Sequence, residues 1–235
     1  MKAIIGGTGL DKMVNFNCHE ETIHTPYGDA FVSIGHGQDV GLVFLPRHGG
    51  THSIPPHLIN YRANIAALKQ LGVVDIVAIY AVGSITDCIA PGEVSLVSDF
   101  IDFVSASRES TFYTGEEGEV RHVMMNHPFD TILANALLSV DKTIKDGGVY
   151  ATTSGPRLET CSEIRTLKAM GADFVGMTLG TEVTLCNEKG IHIAALAYSI
   201  NWAAGIKDDG MGFLGDSEAN ELAIGLARIA KRVLI

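Results

Sequence analysis

Basic residues are scarce in this chain: 17 Lys and Arg stand against 27 Asp and Glu among 235 residues, a formal charge of -10. A general nucleic-acid or membrane-surface binder needs clustered lysine and arginine, so that class is excluded, and any phosphate must be held locally by few residues. Cysteine is scarce too. Cys18, Cys88, Cys161 and Cys186 show no C-x-x-C spacing, which argues against a cysteine zinc site, and a chain this long needs no disulfide framework; a reducing compartment is implied. No uncharged stretch reaches membrane-spanning length, and the apolar run Met1 to Gly6 is too short for a signal peptide. The expectation is a soluble cytoplasmic protein. Internal repeats, low-complexity tracts and linkers are also lacking. Apolar residues are plentiful, at 46% with a mean hydropathy of +0.22, enough for one large core and a single α/β domain over residues 1–235.

The hydrophobic pattern alternates between short strand-like runs and helical periodicity. Strands are expected at Ala3 to Ile5, Ala30 to Ile34 and Val40 to Leu45, and a helix over Pro56 to Leu71, where Leu58, Tyr61, Ile65 and Leu68 recur before the stop at Gly72. Asp75 to Val82 reads as a strand buried on both faces. A second helix is expected near Asp130 to Val140. A third starts at Thr160, where Thr160-x-x-Glu163 has the form of a capping box, and ends at Gly171. Strands at Asp173 to Gly176 and Ile191 to Ser199 flank another helix, and Ser217 to Val233 forms a closing amphipathic helix. Ser105 to Val120 is the longest irregular stretch, a lid or interface element or else a surface excursion.

Three polar turns carry the chemistry. Arg47-His48-Gly49-Gly50-Thr51-His52-Ser53-Ile54-Pro55-Pro56-His57 follows the third strand and offers a rigid guanidinium fork with imidazoles and hydroxyls, a donor set suited to an oxyanion. From composition alone such a loop is equally a plain connection. Gly6-Gly7-Thr8-Gly9 follows the first strand. It fits neither a dinucleotide fingerprint, whose third glycine would fall at Lys12, nor a P-loop, but its backbone N–H groups and the Thr8 hydroxyl can still cradle a small anion. His48, His52 and His57 do not form a metal site by spacing: intervals of four and five interrupted by Pro55-Pro56 do not share one face, and the arginine opposes a cation. The third turn is Ser154-Gly155-Pro156-Arg157-Leu158-Glu159-Thr160, followed later by Gly176-Met177-Thr178 and Glu182.

Taken with Ile5 to Leu10, Arg47-His48-Gly49, Asn60 to Ile65, Ala81-Val82-Gly83-Ser84 and Ala197 to Gly205, these segments closely resemble the trimeric purine nucleoside phosphorylases, particularly their methylthioadenosine and methylthioinosine phosphorylase branch. The resemblance covers nearly the whole chain. It implies a phosphorylase/hydrolase-like fold, a mixed central β-sheet flanked by helices, and reversible phosphorolysis of a purine nucleoside to the free base and ribose 1-phosphate or its 5-methylthio derivative. Phosphate is then a co-substrate, and neither metal nor cofactor is required. By matching position, Thr8, Arg47, His48, the backbone at Ala81 and Thr178 bind phosphate, and Met177 lies against the ribose. A methionine after an apolar strand otherwise reads as core.

The resemblance also bears on the base. Methylthioadenosine enzymes resemble one another in carrying aspartates where Asn201 and Ala203 stand here. An asparagine can donate one hydrogen bond and accept another, which suits a 6-oxopurine. Glu159 matches the residue that 6-oxopurine phosphorylases use to accept from N1–H. Asn201, Glu159 and His48 are therefore the expected catalytic residues, and hypoxanthine or guanine the expected bases; as alternatives, Asn201 caps a turn and Glu159 supports a helix start. Two departures from the family pattern are Tyr80, where relatives carry a small polar residue near the phosphate, and Leu158, where a phenylalanine often precedes the glutamate. The apolar segment Gly210 to Leu214 is expected to shape the 5' pocket through Leu214, favouring methylthio. His122 matches a residue contributed to a neighbour's sugar pocket, which implies a homotrimer or a dimer of trimers.

Overall fold

The computed structural model describes every residue except 11, 12, 14, 52, 105–108, 117 and 209. The expectations that fell on His52, Lys12 and part of the 105–120 stretch therefore lie partly outside the described residues. Strands run β1 (Lys2–Gly6), β2 (Cys18–Thr25), β3 (Gly28–Gly35), β4 (Leu42–Pro46), β5 (Asp75–Ser84), β6 (Val94–Leu96), β7 (Asp99–Asp102), β8 (Val149–Thr152), β9 (Phe174–Gly176) and β10 (His192–Trp202). Among the described residues five α-helices are interspersed with them: α1 (Tyr61–Gln70), α2 (Thr131–Val140), α3 (Cys161–Ala169), α4 (Leu179–Glu188) and α5 (Asp216–Leu234).

The strands form one mixed sheet in the order β2-β3-β4-β1-β5-β9-β8-β7, with β10 on β5 and β6. Strand β5 organises it. Its first half pairs in parallel with β1, its second half turns the same edge to antiparallel β9, and its other edge pairs with β10 along the whole length. Both faces are covered, which is why β1, β4, β5 and β10 read as nearly continuous apolar runs. On one side, Ala3, Ile5, Leu45, Ala78 and Tyr80 pack with Ile65 and Leu68 of α1 and Val183 of α4. On the other, Ile4, Phe44, Val77, Ile79 and Leu196 meet Leu133 and Leu137 of α2 and Leu226 and Ala230 of α5. Each fully buried aliphatic side chain contributes about 1.5–3 kcal/mol.

Helix boundaries follow capping chemistry. The capping box expected at α3 forms: the Glu163 N–H donates to Thr160 Oγ1 at 3.2 Å, and the Thr160 N–H donates to Glu163 Oε2 at 2.7 Å. Arg157 braces the same carboxylate, and together these hold the Glu163 pKa at about 2. Helix α1 begins at Tyr61 rather than near Pro56, because Asn60 Oδ1 accepts from the Ala63 N–H at 3.0 Å and Pro56–Leu58 form a separate 3-10 turn. Strand β4 begins at Leu42 rather than Val40, since Gly41 adopts a φ of +91°.

Candidate active site

A cavity of about 250 Å³ opens where β1, β4, β5 and β10 end, outside the carboxyl ends of the parallel strands. Ten of the sequence-predicted residues line it: Thr8, Arg47, His48, Ala81, Leu158, Glu159, Met177, Thr178, Asn201 and Ala203. The register explains the convergence. Gly6 of β1 lies opposite Pro46 of β4, and the Arg47 N–H donates to the Gly6 carbonyl at 2.9 Å, so the glycine turn and the Arg47-His48 turn leave the sheet side by side.

One end of the cavity is an anion cradle. Thr178 is the N-cap of α4 and lines the cavity without a side-chain capping bond, while the Gly180 N–H of the first helical turn is spent on Thr152 Oγ1 at 3.0 Å, so Thr178 and not the bare helix end faces this space. Thr8 stands exposed at the mouth, its carbonyl fixed by the Tyr198 hydroxyl. The His48 Nδ1–H donates to the Ile54 carbonyl at 2.8 Å, which sets the ring's orientation and tautomer. Tyr150, bonded to Thr178, is fully buried, and that burial pushes its phenol up to about 12.

Arg47 is placed differently from the expectation that its fork meets the anion. The fork is taken by Glu182: Nε donates to Oε1 at 2.6 Å and Nη2 to Oε2 at 2.8 Å, while Nη1 donates to the Ile79 carbonyl at 3.2 Å. Three of the guanidinium's five N–H groups are thus spent inside the protein. Burial disfavours the Arg47 charge, but the adjoining Glu182 carboxylate more than offsets this and raises its pKa. The Tyr80 hydroxyl also donates to Glu182 Oε2, at 2.8 Å, and its ring lies under the guanidinium, 4.4 Å from centroid to Cζ. Burial, with Glu182 adding to it, drives the Tyr80 phenol well above the ordinary tyrosine range. This departure from the family pattern therefore turns its polar end inward, away from the cavity.

The other end carries groups fit to read a heterocycle. Strand β10 shifts register between Ser199 and Asn201, placing Asn201 opposite Gly83 at the cavity wall with 4% exposure. Its Nδ2 donates one hydrogen to the Trp202 carbonyl at 2.7 Å, leaving one N–H and a carbonyl oxygen. Glu159 Oε1 accepts from the Thr153 hydroxyl at 2.5 Å, which orients the carboxylate. Between the ends lies Met177, packed over Gly155, where the φ of +60° and the lack of a side chain make room for its sulfur.

Two expected residues do not line this cavity. Leu214 is half-buried, and its N–H donates to the Ile200 carbonyl at 2.8 Å; Met211 from the same segment lines the cavity instead, because its carbonyl is drawn to the Trp202 N–H at 2.7 Å. His122 is exposed and borders a separate hollow with Arg121, Tyr113 and Glu188. His57 is exposed as well, and no group of three His, Cys, Asp or Glu able to hold a metal occurs among the described residues.

A family model described as Phosphorylase superfamily matches residues 2–234. The chain belongs to this superfamily. Among its relatives, it is 44% identical over 211 residues to a probable 6-oxopurine nucleoside phosphorylase of Moorella thermoacetica, covering 87% of this chain and 80% of that one. It is 42% identical over 215 residues to a probable S-methyl-5'-thioinosine phosphorylase of Xanthomonas campestris pv. campestris, covering 88% and 85%. Methylthioadenosine phosphorylase from Schistosoma mansoni, solved with tubercidin, superposes with a TM-score of 0.87 at 31% identity over 99% of this chain and 89% of that one. For this phosphorylase-superfamily chain, the site residue that sequence reasoning left without a role is Glu182. Its signal was faint: one carboxylate within the otherwise apolar or small run Leu179 to Cys186.

Proposed function

We propose that the protein catalyses phosphorolysis of 6-oxopurine nucleosides, releasing hypoxanthine or guanine and leaving ribose 1-phosphate or its 5-methylthio derivative. The observation that carries this is the union of two polar sets in one cavity: the donors Thr8, Arg47, His48 and Thr178 at one end, and the acceptor Glu159 with the donor and acceptor Asn201 at the other. Phosphate held by the first set and by the backbone at Ala81 attacks the anomeric carbon from the face opposite the base. The C–N bond breaks with its electron pair going to the purine, and the sugar passes through an oxocarbenium-like state that the anion beneath it stabilises. Fixing the nucleophile in line supplies a further share of the rate. The remaining Asn201 N–H donates to the departing ring as charge builds there, while Glu159 accepts from N1–H.

Neither metal nor cofactor enters this scheme; phosphate is the co-substrate. Met177 and Met211 give the sugar side an apolar wall that favours a 5'-methylthio group. A homotrimer or dimer of trimers, with His122 completing a neighbour's sugar pocket, is the assembly we assign, and its exposed position is compatible with that role. The four cysteines are free thiols, and among the described residues no helix is long and apolar enough to cross a membrane; a cytoplasmic location is the reading we favour. Methylthioadenosine phosphorolysis is the alternative, suggested by the solved relatives, and the absence of aspartate at Asn201 and Ala203 weighs against it. Base release assayed with and without inorganic phosphate tests the reaction class: release only with phosphate supports a phosphorylase, and equal release without it indicates a nucleosidase.

A further inference from the structure

Tyr80 is a polar residue of the cavity wall for which the proposed reaction has no use. It sits on β5 between Ile79, whose carbonyl accepts from Arg47 Nη1, and Ala81, whose backbone borders the anion cradle. At 1% exposure it presents its hydroxyl not to the cavity but to Glu182. The Glu182 carboxylate thereby receives three protein donors, Arg47 Nε and Nη2 and the Tyr80 hydroxyl, and Glu182 is not itself part of the cavity wall. Arg47 is consequently held along its edge by the carboxylate and across its face by the ring. The ring is fixed in turn by Tyr150, with centroids 5.8 Å apart and the planes inclined at 66°. A guanidinium held on two sides cannot swing to follow an anion, so the direction of its two remaining N–H groups is set by Tyr80 and Glu182.

We propose, resting on the reading of the site given above, that Tyr80 is a positioning residue for the phosphate half of the reaction. It acts through Glu182 and against the face of Arg47, so that phosphate binding, and not nucleoside binding, depends on its hydroxyl. A small polar side chain at this position would reach neither partner in the same way.

Tyr80→Phe keeps the ring under Arg47 and removes only the donor. The KM for phosphate is expected to rise roughly tenfold, the factor set by losing one hydrogen bond to a charged group, while the nucleoside KM stays within about twofold. As a second reading independent of turnover, inorganic phosphate alone should raise the thermal midpoint of the variant less than that of the wild type. An unchanged phosphate KM, an equal rise in both KM values, or a lowered midpoint with an undiminished phosphate-induced shift would overturn the proposal. Should Tyr80→Phe not fold, Tyr80→Leu, which also removes the hydroxyl and leaves the Arg47–Glu182 pair in place, is read by the same criteria. A wild type that phosphate stabilises without any base release refutes the phosphorylase reading, and the comparison of thermal shifts then still decides the role of Tyr80.

Discussion

The guanidinium of Arg47 lies edge to edge with the carboxylate of Glu182, 135 residues away in sequence, and each side chain is only 1% exposed. The pair ties the loop after β4 to the first turn of α4, the two elements that form the anion cradle. Removing one partner leaves an uncompensated buried charge, so Glu182→Ala should cost about 3–5 kcal/mol in urea unfolding. The double variant Arg47→Met with Glu182→Leu should recover most of that stability and yet lose phosphate saturation. Equal destabilisation by the single and double variants would contradict this view of the pair.

Gly7 is required by its neighbour rather than by its own backbone. A methyl group there would fall inside contact distance of Arg47 Nη1, which cannot yield because the Ile79 carbonyl holds that nitrogen and Glu182 holds Nε and Nη2 of the same guanidinium. Gly7→Ala is expected to cost about 1–3 kcal/mol from overpacking and to raise the phosphate KM several-fold. An unaltered phosphate KM would mean that the turn has slack the structure does not show.

Much of this was legible in sequence where the signal is local. The apolar runs of β1, β5 and β10 and the Thr160-x-x-Glu163 box announce their elements directly. Strand β2 was not legible: Cys18–Thr25 lies at the sheet edge with mostly exposed side chains, so no apolar face imposes an alternation. Strands β6, β7 and β8 are only three or four residues long, too short for a period to register. Within the site, the polar turns could be read as anion-binding from their residue types. The partner that claims the Arg47 fork could not, since nothing near Arg47 in sequence points to Glu182. Asn201 faces the cavity through a register shift in β10, which an apolar strand pattern does not reveal.

Base preference should respond to residues 201 and 203 separately. Asn201→Asp replaces an N–H donor with a carboxylate and is expected to shift kcat/KM towards adenine nucleosides by roughly tenfold or more. Ala203→Asp is costlier, because Ala203 is 2% exposed and packs with Ile85, Ile164 and Val175. The double variant should move preference further while lowering the thermal midpoint. An unchanged 6-oxo preference in both variants would count against the assigned role of Asn201.

Tyr150 gives a pH prediction with a definite sign. Its phenol is pushed up to about 12 by burial, above the ordinary value of 10.0. An acid whose folded-state pKa is raised contributes nothing adverse below its unfolded pKa and favours unfolding as pH rises from about 10 to 12, by at most about 3 kcal/mol. Tyr150→Phe should therefore flatten the alkaline limb of a stability-versus-pH curve and leave its shape near neutrality unchanged. An identical alkaline limb in the variant would show that Tyr150 ionises in the folded protein as it does in the unfolded one.

The most direct measurement is phosphate-dependent base release from a matched set of inosine, guanosine, adenosine, methylthioinosine and methylthioadenosine. The arrangement of Glu159 and Asn201 predicts preference for the 6-oxo members, with methylthioinosine ahead of inosine if Met211 and Met177 set the 5' pocket. Preference for methylthioadenosine would contradict the base assignment while leaving the phosphate cradle and the reaction class in place.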